Sequence, residues 1–333
     1  MLGTFSVDLA KAPGRRWEGI GAWAKEAREL ADSYVRDLGG LEVFGDLVDA
    51  YRAACVPEAF GAEIDAIADE IGITPNASLV ANLYYDAMHA VLGCTAFAVD
   101  TPEGPLHARN LDWWTDRRML SEHTLVCEYD GAPTPYRSVG WPGFVGVFTG
   151  VAEGRFAVSL NAVISAEPKP LALPVTLLLR QVFDEARSYD EAVIRLADTP
   201  IASDCLLLVT GTKAGEMVVI ERTSTRSALR TPANGLVTVT NDYRAIDDGF
   251  ERPDDALAAT SCKRFDRATY LALRSRPASF DEAFEVLMDP GVRMDITVQS
   301  AVMHAASGAC EVRLPTGGRH SAGAASASSR SST

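Results

Sequence analysis

Residues 94 to 112 constrain this chain more than any other stretch. Cys94-Thr95-Ala96-Phe97-Ala98-Val99 is an apolar run of strand length. Asp100 to Gly104 has the composition of a tight turn, and Leu106 to Arg109 reads as the returning strand. A hairpin of that length brings Arg109 and Asp112 back beside Cys94. A thiol, a fixed cation and a fixed carboxylate then share one place, a plausible setting for a nucleophile.

The pattern differs on either side of Cys94. Residues 17 to 92 have helical spacing. Ile20, Trp23, Ala24, Ala27 and Leu30 form one stripe within Trp17–Leu38, and Ile64, Ile67, Ala68 and Ile71 form another within Phe60–Ile71. Thr74-Pro75-Asn76 starts a further helix that runs on to about Val91. After Cys94 strands dominate: 125–129, 136–139, 145–151, 156–160, 205–210, 217–221, 227–231, 236–240, 296–304 and 310–314. Helices are expected at 174–186, at 188–197 with Ser188 as cap, at 265–273 and at 280–288. Strand runs joined by hairpins and interrupted by helix pairs suggest an α+β chain of two stacked sheets covered by helices. From residue 316 the chain is almost all Gly, Ser, Ala, Arg and Thr, and a disordered tail is expected.

A formal net charge of −14 argues against nucleic acid or an anionic membrane as the main partner. No stretch approaches the roughly 20 apolar residues of a spanning helix. Met1 to Asp8 lacks a basic stretch followed by an apolar run, so no secretory leader is read there and a cytoplasmic location is expected. The cysteines at 55, 94, 127, 205, 262 and 310 show no metal-ligand spacing. No metal and no cofactor is expected.

A cysteine on an apolar strand is ordinarily a small core residue, and Cys127, Cys205 and Cys310 are read that way. Cys94 differs in following Gly93, which permits close approach to the peptide bond, and in ending a helix-rich segment of about ninety residues. The chemistry this suggests is attack of the Cys94 thiol on the Gly93 carbonyl. Hydrolysis of the resulting ester leaves Cys94 as a new N-terminus. Its α-amine, with a pKa of about 7.7–8.0, would serve as base. None of the five histidines falls in a Cys-His signature.

Several motifs in order carry a resemblance: Gly93-Cys94-Thr95, Arg109-Asn110-Leu111-Asp112, Gly143 to Gly150, Val158-Ser159-Leu160-Asn161, Thr240-Asn241 and Lys263-Arg264-Phe265. Together, over residues 55 to 315, the chain resembles the N-terminal-nucleophile cysteine amidohydrolases. It is most similar to the acid ceramidase and N-acylethanolamine acid amidase branch, and more distantly to choloylglycine hydrolases and penicillin acyltransferases. Glu63 to Ala68 and Asn82 to Tyr85 are similar to the end of that branch's α-subunit. The resemblance implies a four-layer αββα sandwich at 94–315, preceded by a helical α-subunit at 1–93. Cleavage at Gly93–Cys94 would leave the two fragments as a heterodimer.

The resemblance also implies roles. Cys94 is the nucleophile for self-cleavage and for substrate. Arg109 holds the substrate carbonyl region and the thiolate, and Asp112 binds the new α-ammonium. Asn241 donates to the oxyanion, Asn161 is a second polar anchor, and Arg264 supports the carboxylate. Trp113, Trp114, Trp141 and Phe144 are candidates to line an acyl pocket, with ordinary packing as the alternative. The branch has a glutamate after the asparagine where this chain has Ala162. The activity implied is hydrolysis of a linear non-peptide amide, a fatty N-acyl amide such as a ceramide or N-acylethanolamine-like lipid, through an acyl-thioester on Cys94. Acyl transfer to an amine and a non-catalytic binding domain of the same fold are the alternatives.

Overall fold

A strand, β1 (Gly3–Asp8), opens the chain in a segment whose sequence predicts only helices. The computed structural model describes residues 2–88, 92–113, 119–247, 256–315 and 319–322. Four helices follow: α1 (Ala24–Asp37), α2 (Leu47–Cys55), α3 (Glu58–Ile71) and α4 (Pro75–Met88). Of these, α2 is absent from the sequence reading. The hairpin is β2 (Leu92–Thr101) and β3 (Gly104–Trp113), with the short α5 (Met119–Glu122) after it. Then come β4 (Leu125–Asp130), β5 (Tyr136–Gly140), β6 (Thr149–Ala152) and β7 (Phe156–Ala162). Helices α6 (Val175–Glu185) and α7 (Tyr189–Asp198) precede β8 (Cys205–Thr210), β9 (Met217–Arg222), β10 (Ser227–Arg230) and β11 (Leu236–Val239). Helices α8 (Ala256–Ser275) and α9 (Phe280–Met288) lead to β12 (Thr297–His304), β13 (Ala309–Arg313) and β14 (Arg319–Ala322).

Two sheets stack. One has the order β1-β4-β5-β6-β7-β8-β9-β10, the other β11-β2-β3-β12-β13-β14. Helices α6 and α7 cover the first, and α8 and α9 cover the second. The chain is therefore an α+β protein of αββα layers, as expected. The apolar run after Cys94 follows from this. Ala96 and Ala98 pack between the sheets with Leu206, Leu208 and Val219, while Phe97 and Val99 pack against Phe284 and Leu287 beneath α8 and α9. With both faces of β2 covered, the strand is continuously apolar rather than alternating.

The segment before Cys94 belongs to this body. β1 lies parallel to β4, with Phe5 opposite Cys127. Ile64 and Ile67 share one apolar core with Leu125, Val145, Val175 and Val182. The buried Glu63 of α3 accepts from Arg16 (2.8 Å), from the Trp17 indole (2.6 Å) and from both terminal nitrogens of Arg180 on α6 (3.2 Å each).

Three expectations need correction. Residues 145–148 are not strand: Val145 N–H donates to Oδ1 of Asn82 and Val147 N–H to the Thr176 carbonyl, so α4 and α6 take those groups. A Cβ at Gly146 would lie 2.7 Å from Thr176 Cβ, so only glycine admits that approach. Helix α8 begins nine residues before Phe265, which puts Arg264 well inside it. Within the tail expected to carry no structure, β14 pairs with β13. Residues 316–318 and 323–333 lie outside the described residues.

Candidate active site

Hairpin register assembles the site. Gly93 lies opposite Asp112, Cys94 opposite Leu111, and Ala96 opposite Arg109. Residues directly opposite share a face. Cys94 and Arg109 thus face the other sheet, while Thr95 and Asp112 face α8. The Cys94 thiol is buried. Nη2 of Arg109 donates to its sulfur at 3.2 Å and to the Leu160 carbonyl at 3.2 Å, and Nη1 donates to Thr149 Oγ1 at 2.6 Å.

The peptide on either side of the Cys94 Cα is gripped as well. Its N–H donates to Oδ1 of Asn241 at 3.1 Å. Its carbonyl accepts from Nη1 of Arg264 at 2.6 Å. Arg264 also donates to Thr95 Oγ1 at 2.8 Å and, through Nη2, to Oδ1 of Asn241 at 2.8 Å. Nδ2 of Asn241 donates to the Ala162 carbonyl at 2.8 Å. With two donors at one end and an acceptor at the other, the orientation of this amide is fixed. Ser261, three residues before Arg264, accepts the Asn241 backbone N–H at 3.0 Å, so α8 sets both residues.

Burial pushes the Cys94 thiol above its ordinary pKa. The Arg109 guanidinium and the backbone N–H groups of Asp112 and Ala162 pull it back, and the Asp112 carboxyl adds to the rise. Ala162 thus acts through its backbone, which any residue provides. Burial also raises Asp112, opposed by Arg264, the Thr297 hydroxyl, Arg109 and Arg293. Thr297 donates to Oδ1 of Asp112 at 2.6 Å. Oδ2 accepts no hydrogen bond within the described residues, and Arg264 Nη1 lies 4.0 Å from it. Asn161 donates from Nδ2 to the Thr240 and Val239 carbonyls at 2.9 and 3.3 Å, and its buried Oδ1 has no partner there.

Cys94, Arg109, Asp112, Asn241 and Arg264 are therefore one connected cluster, with Asn161 held against the strand end that carries Asn241. Sequence reasoning missed Thr149, Thr297 and Ser261. Only Ser261 left a signal, its three-residue helical spacing from Arg264. Trp113, Trp141 and Phe144 line one cleft, but it holds only about 30 Å³ of free space. Tyr34 of α1 and Tyr84 of α4 fill it, stacking with each other and on Trp113. Trp114 lies outside the described residues. Among the described residues, no helix is long and apolar enough to cross a membrane, and no group of three or more His, Cys, Asp or Glu could hold a metal ion.

Known proteins resemble this chain. It is 23% identical over 346 residues to acid ceramidase of Balaenoptera acutorostrata scammoni, covering 93% of this chain and 85% of that protein. It is 26% identical to the N-acylethanolamine-hydrolyzing acid amidase of Mus musculus, covering 66% of this chain and 63% of that one. The solved structure of the Caenorhabditis elegans N-acylethanolamine-hydrolyzing acid amidase ortholog superposes with a TM-score of 0.52 at 24% identity. It covers 64% of this chain and 93% of that chain, a likeness of fold. The fold is that of the N-terminal-nucleophile hydrolases. With residues 99–298 matching its profile, the chain belongs to the family described as acyl-coenzyme A:6-aminopenicillanic acid acyl-transferase.

Proposed function

We propose that this protein is a self-processing amidohydrolase with Cys94 as nucleophile, acting on a linear fatty N-acyl amide. The observation that carries the reading is the setting of Cys94. Its sulfur takes a guanidinium hydrogen bond at 3.2 Å while its N–H and carbonyl are held by Asn241 and Arg264. A merely structural cysteine needs none of this, and buried charge is costly to keep without use.

In the first step the Cys94 sulfur attacks the Gly93 carbonyl carbon. The C–S bond forms, the C–N bond breaks, and the thiol proton goes to the departing nitrogen. Water then cleaves the ester, leaving a Gly93 carboxylate, a free thiol and a new α-ammonium. That ammonium meets the open Oδ2 of Asp112, with Oδ1 of Asn161 as a second acceptor nearby. In turnover the deprotonated α-amine takes the thiol proton as sulfur attacks the substrate carbonyl, and passes it to the leaving amine. Water repeats the sequence on the acyl-thioester and restores the thiol. Arg109 steadies the thiolate, and Asn241 donates to the oxyanion. Arg264 holds the backbone of Cys94 in line. Losing one oxyanion donor typically costs about 10²–10³ in rate.

Trp113, Trp141 and Phe144 line the acyl site, which admits a chain once the Tyr34–Tyr84 stack shifts. The chain divides at 93/94 into two fragments that stay together as a heterodimer, through β1 and Glu63. The names of the relatives support an amide carrying a fatty acyl group. The family description favours a second reading, transfer of the acyl group to an amine.

Intact mass and N-terminal sequencing of the expressed chain test the proposal. A fragment beginning at Cys94, absent in Cys94→Ala, is the expected result. A permanently uncut chain without activity on N-acyl amides would overturn it. Faster acylation of an added amine than hydrolysis selects the transferase reading.

A further inference from the structure

Gln299 stands apart among the buried polar side chains. It is 2% exposed, and among the described residues neither its Nε2 nor its Oε1 has a hydrogen-bond partner. Among the described residues it is the one side chain with two polar atoms both buried and unmet. Leaving a buried polar group unmet forfeits its hydration with nothing in return, so a two-ended orphan amide is costly for a fold to hold.

Register shows where it lies. On β12, Gln299 is opposite Leu111, and Leu111 is opposite Cys94 on β2. The three form one row across the sheet, on the face turned to the other sheet. Ala301, two residues on, packs there against Val139 and Val151. Arg109, opposite Ala301, is the diagonal neighbour of Gln299 and within reach of a long side chain. One further buried donor on this face, Nε of Arg109, lacks a partner among the described residues. A separate observation comes from the backbone. The β3–β12 register slips between Thr297 and Gln299, leaving Val298 as a bulge directly before Gln299. Bulges of this kind re-aim the side chains beside them.

We infer that Gln299 recognises the amine part of the substrate, by hydrogen bonding a neutral polar head such as a hydroxyl group. The inference rests on the amidase reading above. In that mechanism the scissile carbonyl is served by Asn241 and the leaving nitrogen by the α-amine, and the acyl chain is apolar. The head of the amine part is what remains to be matched. An amide offers one donor and one acceptor without charge, and a hydroxyl both accepts and donates. A carboxylate or ammonium head would enter this buried face with no opposite charge from Gln299.

The experiment compares two probes that differ only in the head, an N-acylethanolamine and the N-acylpropylamine of equal length. It uses the full chain and two variants. Gln299→Met keeps the length and removes both polar atoms. Gln299→Asn withdraws the amide by one methylene and serves should the methionine variant not fold. Both kcat/KM and the calorimetric Kd are measured. The wild type is expected to prefer the hydroxyl probe by at least about tenfold. In either variant that ratio falls toward one, mainly by loss on the ethanolamide. A ratio near one in the wild type, or an equal ratio in wild type and variant, overturns the inference. If the wild type turns over neither probe, the amidase reading fails on its own, and the ratio of the two dissociation constants still decides the role of Gln299.

Discussion

Arg264, deep in α8, donates from Nη1 to the carbonyl oxygen of Cys94 at 2.6 Å, across 170 residues of sequence. Its other terminal nitrogen holds Asn241 at 2.8 Å, and Asn241 in turn holds the Cys94 N–H. One guanidinium thereby fixes both Cys94, the proposed nucleophile, and the residue that grips its nitrogen. Burial lowers the Arg264 pKa, and Asp112 works against that fall.

Replacing Arg264 with methionine is expected to slow appearance of the Cys94 fragment at least about a hundredfold, because misplacement by an ångström can cost that much. Arg264→Lys keeps the charge but only one of the two contacts and falls between. Timed gels with N-terminal sequencing provide the measurement. Wild-type cleavage in Arg264→Met would rule out the clamp.

Asp112→Asn separates self-cleavage from turnover. In the proposed mechanism the open Oδ2 receives an ammonium that exists only after cleavage. The variant is expected to cut, more slowly, and then to turn over substrate about 10²–10⁴-fold less than wild type, with its pH profile displaced. Steady-state rates per titrated thiol across pH 4–9 are the readout. An unchanged profile contradicts the ammonium role.

Glu63→Gln should weaken the whole fold. It leaves Arg180 buried with no full counter-charge from α3, where Glu63 now takes both its terminal nitrogens. Arg180 keeps the Asp184 carboxylate at 3.0 Å, so the expected loss lies at or below about 3–5 kcal/mol, the cost of a fully broken buried pair. Urea unfolding gives the number, and a loss below about 1 kcal/mol would mean that the network is dispensable.

His107 sets a pH limit. It is buried between Ser159 (2.7 Å) and Thr210 (3.2 Å), and burial, with help from Arg109, lowers its pKa to about 3. The neutral ring is favoured in the fold, so its contribution is fully present above the unfolded value of about 6.5. It is lost as pH falls from there toward 3, at about 1.4 kcal/mol per pH unit. Unfolding free energies of wild type and His107→Gln at pH 7, 6, 5 and 4 should show a flatter slope for the variant. Parallel slopes would assign the acid sensitivity to other groups.

The hairpin was legible because Cys94 to Val99 is apolar on both faces and its turn is short. The contacts that complete the site were not. Thr297 meets Asp112 across 185 residues, and nothing in its neighbourhood signals that. Gln299 left no trace either, since its distinction is a lack of partners, a property of packing alone. β1 escaped because Thr4-Phe5-Ser6-Val7 alternates over only four residues, too few to compete with the helices behind it. The 145–148 stretch has strand composition, but α4 and α6 take its backbone groups before a neighbouring strand can. The aromatic cleft was identified by composition, and its filling by Tyr34 and Tyr84 depended on helices whose docking no local pattern specifies.

β1 has one more effect. By pairing along the full length of β4 it takes the edge position of the eight-stranded sheet, which β4 would otherwise occupy in a sheet of seven. An uncovered edge invites strands from other molecules. Removing residues 2–10 would leave the Cys94 cluster chemically intact but offer β4 to its neighbours. Such a shortened protein is expected to be lost to self-association before it is lost to inactivity.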